Sequence, residues 1–176
     1  MGYLRSTVAA VVLAAGLLAT VPAPAAPAAE VNMANGSVNF STPDGWLDIL
    51  QTDGDPEVRV FQVPDPSPTG HTTLARITVT VKQEPDASDF HSYMDEANAK
   101  AMALPGYQAV AKAAEPNSYS YIAREAGVAS SYRERYWYRD GHAIQLRCVR
   151  PQQSQAGAAW VAAFDRGCDA IAARLK

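Results

Sequence analysis

Cys148 and Cys168 are the chain's two cysteines, and a thiol pair can form a disulfide, bind a metal or cycle between redox states. There is no C-x-x-C spacing, which argues against a catalytic redox pair. Asp53, Asp55 and Glu57 offer alternating carboxylates from one short segment, the kind of oxygen set a hard cation takes. Their spacing completes no calcium-loop motif, and Asp53-Gly54-Asp55-Pro56 has the composition of a tight turn, so we read it as a turn. The histidines His71, His91 and His142 fall in a loop, on a helix flank and at the start of a strand. His142 next to Asp140 resembles an acid–base or metal pair, but Asp140-Gly141 already serves as a hairpin turn. The chain has no G-x-S-x-G elbow, P-loop, G-x-G-x-x-G or H-E-x-x-H motif. No catalytic residue, metal ligand or cofactor is therefore assigned. A hydrolase or metal-dependent enzyme built on His71, His142 and nearby carboxylates is the alternative reading.

The most unusual run is Tyr132-Arg133-Glu134-Arg135-Tyr136-Trp137-Tyr138-Arg139. On a strand, Tyr132, Glu134, Tyr136 and Tyr138 share one face, and Arg133, Arg135, Trp137 and Arg139 share the other. Tyr, Trp and Arg dominate interface hot spots, which makes Tyr132, Arg133, Arg135, Tyr136, Trp137, Tyr138 and Arg139 the candidate binding residues. The competing arrangement is structural: tyrosines line the core under a helix while arginines bury their stems and keep their heads in water.

The elements that position these residues follow from periodicity. Val38 and Phe40 alternate with polar neighbours before the turn Pro43-Asp44-Gly45-Trp46, and 47–51 and 58–63 continue as strands of a meander. Residues 64–70, with three prolines, form an exposed loop suited to variable recognition. From Leu74 to Lys82 the alternation is strict, with Ala75, Ile77, Val79 and Val81 on one face. Pro85 ends that strand. Asp86 or Ser88 caps a helix whose apolar positions are Phe90, Tyr93, Met94, Ala97, Ala101 and Leu104. Extended runs follow at 107–112, 119–125 and 128–139. Asp140-Gly141 turns the chain into 142–149, and a last helix carries Trp160, Val161, Phe164, Cys168, Ile171 and Leu175. Strands, a helix, more strands and a closing helix predict an α+β fold with a central, mostly antiparallel β-sheet flanked by helices. Cys148 shares its strand face with Ile144 and Leu146, and Cys168 lies on the stripe of Trp160 and Phe164. A helix packed on that sheet would bring the two sulfurs together as a disulfide; the alternative is two buried thiols acting as small hydrophobes.

Arg5 followed by the small apolar run Val8–Leu18 has the order of a secretory signal peptide covering residues 1 to about 25. Small residues at −1 and −3 allow cleavage after Ala25 or Ala28, while cleavage after Ala26 would put Pro27 at +1. The run is shorter than the ~20 residues that span a bilayer, so no membrane span is expected after cleavage. Residues 26–36 are read as a flexible leader and 37–176 as one domain; roughly 150 mature residues suit a single core. Export to the periplasm or exterior favours an oxidised cysteine pair. A net charge of −3 with both signs intermixed argues against a nucleic-acid partner.

The stretch Val38-Asn39-Phe40-Ser41-Thr42-Pro43-Asp44-Gly45-Trp46 is similar to the opening strand and Pro-x-Gly-Trp of the PsbP-like family. The strand 76–82 leading to a helix, and the Ala163-Phe164 helix after the Gly141 hairpin, are similar as well. Across residues 36–176 the chain resembles that family. The resemblance implies an α/β/α sandwich and a non-enzymatic role as an accessory or protein-binding module without cofactors. Some exported bacterial members resemble periplasmic immunity proteins, which block a cell-wall-degrading toxin delivered by a type VI secretion system. The resulting expectation is a periplasmic, non-catalytic binder of another protein, with a structural envelope protein as a further alternative.

Overall fold

The computed structural model describes residues 27–110 and 115–176. The signal-peptide reading of residues 1–25 lies outside the described residues, as does the stretch 111–114. In chain order the strands are β1 (Glu30–Met33), β2 (Val38–Ser41), β3 (Leu47–Thr52), β4 (Glu57–Gln62) and β5 (Arg76–Gln83). Helix α1 (Ala87–Met102) follows, then β6 (Gln108–Ala109), β7 (Ser118–Glu125), β8 (Val128–Arg139), β9 (His142–Pro151) and helix α2 (Gly157–Leu175).

Seven strands form one sheet in the order β3-β4-β5-β9-β8-β7-β6, and each neighbouring pair is antiparallel. The fold is thus α+β, a large antiparallel sheet flanked by two helices. One face carries Phe61, Ile77, Val79, Val81, Ile144, Leu146 and Cys148, and α2 covers it with Phe164, Cys168, Ile171 and Leu175. The hairpin of β1 and β2 extends that layer, with Phe40 meeting Phe61 edge-on at 5.9 Å. Helix α1 lies on the opposite face over β8 and β9. Among the described residues no helix is long and apolar enough to cross a membrane.

Several local signals are realised as expected. Asp86 caps α1, accepting from the backbone N–H of Ser88 and Asp89. Asp140 (φ 51°) and Gly141 (φ 73°) form the two-residue hairpin turn between β8 and β9.

Two expectations need correction. Residues 30–36, read as a loose leader, hold strand β1 and a turn, and Met33 is buried in the core. The strand at Val38 is not part of the meander: β2 pairs with β1 in a separate two-stranded sheet, and the N-terminal meander consists of β3, β4 and β5. The loop 64–70 is also tied down. Asp65 accepts from Ser67 and Ser154, and Trp160 donates to the Pro64 carbonyl at 2.9 Å.

Gly167 marks the closest approach of α2 to the β2–β3 corner. A Cβ there would lie 2.4 Å from Cζ2 of Trp46. Glycine to alanine inside a helix ordinarily stabilises by ~1 kcal/mol, but a rigid indole in a packed site reverses the sign. Gly167→Ala is expected to lower the unfolding free energy by about 1–3 kcal/mol in urea titration. In a Trp46→Leu background the same change should be neutral or favourable. A Gly167→Ala protein as stable as its parent would show that this contact does not constrain the helix.

Candidate functional site

The alternation of β8 divides the candidate binding residues between two environments. Tyr132, Glu134 and Tyr136 are buried on the α1 side. Arg133 and Arg135 face α2, where Arg133 donates to the Asp165 carbonyl and Arg135 Nη2 donates to Asp169 Oδ1 at 2.8 Å. Trp137 packs on the core of the α2 face, and Arg139 donates to the carbonyls of Lys176 and Ser37. Tyr138 is exposed, with its ring centroid 5.6 Å from that of Phe90 and its hydroxyl donating to the Glu84 carbonyl. Tyr136, Trp137, Tyr138 and Arg139 come together on a cleft of about 530 Å³ with Glu115 and Lys176. Tyr132, Arg133 and Arg135 do not line it.

Glu134 is the polar centre of the α1 side, at 3% exposure. Tyr121 donates to its Oε1 at 2.6 Å, while Tyr136 and Gln145 donate to Oε2. Arg147 Nε lies 3.0 Å from Glu134 Oε1, yet it is off the line a good hydrogen bond requires and has no other acceptor. The same guanidinium donates through Nη2 to Tyr121 and lies 5.2 Å over the Tyr132 ring. Burial, followed by the Glu134 charge, pushes the phenols of Tyr121 and Tyr136 far above their ordinary value. Tyr93, which donates to Gln145 Oε1, is pushed up to about 12 for the same reasons. These phenols act as fixed proton donors around one carboxylate. With both oxygens already accepting, Glu134 serves cohesion between β7, β8 and β9 rather than proton abstraction, and Gln145 carries the network on to Tyr93 of α1.

His71 precedes β5 at one end of the sheet, whereas His142 is paired with Gln83 at the other. His142 does share a cleft of about 770 Å³ with Asp53, Asp55 and Glu57. There Glu57 accepts from the Ala34 N–H and contacts Arg59, Asp53 also contacts Arg59, and Asp55 accepts from the Gln83 N–H. Among the described residues no group of three or more His, Cys, Asp or Glu is placed to hold a metal ion.

Cys148 and Cys168 form a disulfide joining β9 to α2, and both are buried. Residue-type reasoning missed Glu134 and its partner Arg147. The available signal was a lone carboxylate flanked at i±2 by tyrosines on one strand face. It also missed a surface: Leu47, Ile49 and Leu50 on β3 are 43%, 44% and 51% exposed. No protein-family model matches this chain, and no curated protein matches it.

Proposed function

We propose that the chain is an exported, periplasmic or secreted, non-catalytic protein-binding module of PsbP-like architecture. The observation that carries the reading is the run of exposed apolar side chains on β3, Leu47, Ile49 and Leu50, in an antiparallel strand whose outward positions would ordinarily be polar. The helix–sheet–helix layering supports the PsbP-like assignment, and the buried disulfide supports an oxidising compartment. Tyr138, the exposed aromatic of the Tyr/Trp/Arg strand, is a further contact residue at the mouth of its cleft. In the immunity-type form of this reading, the partner is a cell-wall-degrading enzyme whose activity falls on binding.

Purified mature protein, folded and disulfide-intact, should retain a reproducible partner from a periplasmic extract. If the folded protein retains nothing across repeated extracts, the reading fails and a structural envelope role takes its place.

A further inference from the structure

We infer that the cleft between α1 and the strands beneath it, floored by Arg147, is a binding site for a small organic monocarboxylate with an apolar body. The inference concerns a small ligand and stands apart from the protein-binding reading above.

Hydrogen-bonding capacity at the floor of this cleft is used up on the acceptor side and left over on the donor side. Both oxygens of Glu134 accept, from Tyr121 on one and from Tyr136 and Gln145 on the other. Gln145 gives its amide N–H groups to Glu134 and the Tyr136 hydroxyl, while its carbonyl accepts from Tyr93. Arg147 is different. Its Nε and Nη2 lie along one edge of the guanidinium, and that edge faces Glu134 Oε1 and the Tyr121 hydroxyl. Its Nη1, with two N–H groups, has no hydrogen-bond partner among the described residues, and a third of the side chain is open to water. Tyr132 holds the guanidinium in place, its ring centroid 5.2 Å from Cζ. A fixed, partly desolvated guanidinium with spare planar donors is suited to a carboxylate, and its positioning costs the ligand little.

The charge of the lining limits which anion fits. Lys82, Lys100 and Arg147 oppose Glu96 and Glu134, an excess of one positive charge that Glu84, paired with Lys82, offsets. The cleft thus offers donors without a strong positive field, which favours a monoanion over a phosphate dianion. The rest of the lining sets the body of the ligand. Pro56, Ala97, Ala101 and Leu104 supply apolar surface, and the Tyr93 ring lies beside them with Lys82 Nζ 5.6 Å from its centroid. A volume of about 390 Å³ stands near the lower end of the range for small-molecule sites, so the body is a single ring or a short branched chain.

The test is an NMR titration of the full mature protein, 15N-labelled, with benzoate as probe, its neutral analogue benzamide and inorganic phosphate as controls. Benzoate should shift the Arg147 side-chain N–H signal and the backbone amides of Ala97 and Ala101 saturably, with a Kd below ~1 mM, and benzamide should bind at least tenfold more weakly. Arg147→Lys keeps the charge but loses the planar donors, and should weaken benzoate at least tenfold. If that variant does not fold, Ala97→Leu, which narrows the cleft from the helix side and leaves the Glu134 network untouched, should weaken benzoate by a similar factor. A benzoate Kd above ~10 mM, shifts confined to other parts of the chain, or unchanged affinity in a folded variant would overturn the inference. So would benzamide binding as tightly as benzoate, or inorganic phosphate binding more tightly than either.

Discussion

Glu134→Ala is expected to destabilise the protein by about 3 kcal/mol. The change removes the acceptor shared by Tyr121, Tyr136 and Gln145, and it leaves the Arg147 guanidinium without its counter-charge. Arg147 keeps a third of its side chain in water, so the loss stays at the lower end of what breaking a buried ion pair costs. Urea unfolding followed by tryptophan fluorescence would measure it. Replacing both partners, Glu134→Leu with Arg147→Leu, should recover part of the loss, because the uncompensated charge disappears while Tyr121, Tyr136 and Gln145 still lack the acceptor they shared. A single-variant effect below 1 kcal/mol would mean that water or rearranged neighbours take over the role assigned to Glu134.

The second large effect is expected from the disulfide. Cys148 and Cys168 are 20 residues apart, and in the chain-entropy model closing a loop of that size contributes about 3 kcal/mol. The bond also joins α2 to β9, the strand that pairs with both β5 and β8. The double variant Cys148→Ala/Cys168→Ala should melt roughly 6–12 °C below the oxidised parent. Reduction of the parent should add the mass of two hydrogens and produce a similar shift. A double variant that melts within 2 °C of the parent would contradict the assignment of this stabilisation to the cross-link.

What the sequence made legible was local. The strand at 74–82, the capped helix after Pro85, the Asp140-Gly141 hairpin and the closing helix each follow from periodicity and turn chemistry within one segment. The disulfide was legible because each cysteine sat on an identifiable apolar face. Pairings between distant segments were not legible. Nothing around Glu30–Met33 announces a strand, since its burial depends on β2 and the core beneath it. The alternation of 132–139 was visible, but not which use it serves. Tyr132 and Tyr136 are buried because α1 crosses above them, and Glu134 is tolerated because Arg147 arrives from β9 and Tyr121 from β7. The apolar face of β3 to β5 was hidden for a related reason. Val58, Val60, Leu47 and Leu50 look like ordinary strand residues until the position of α1 shows which half of the sheet stays open.

The position of β9 has a consequence for assembly. It is the last strand in sequence and stands between β5 and β8, so the middle of the sheet is supplied by residues 142–151. A chain emerging N-terminus first can pair β3, β4 and β5 early, and β7 with β8 later, but these two blocks have no shared neighbour until residue 151 is out. Closure depends on contacts such as Arg76 with Val149, far apart along the chain, which is the topology associated with slow, late consolidation. In the exported role proposed above, such a polypeptide would complete its sheet only after nearly all of it had passed the translocation channel.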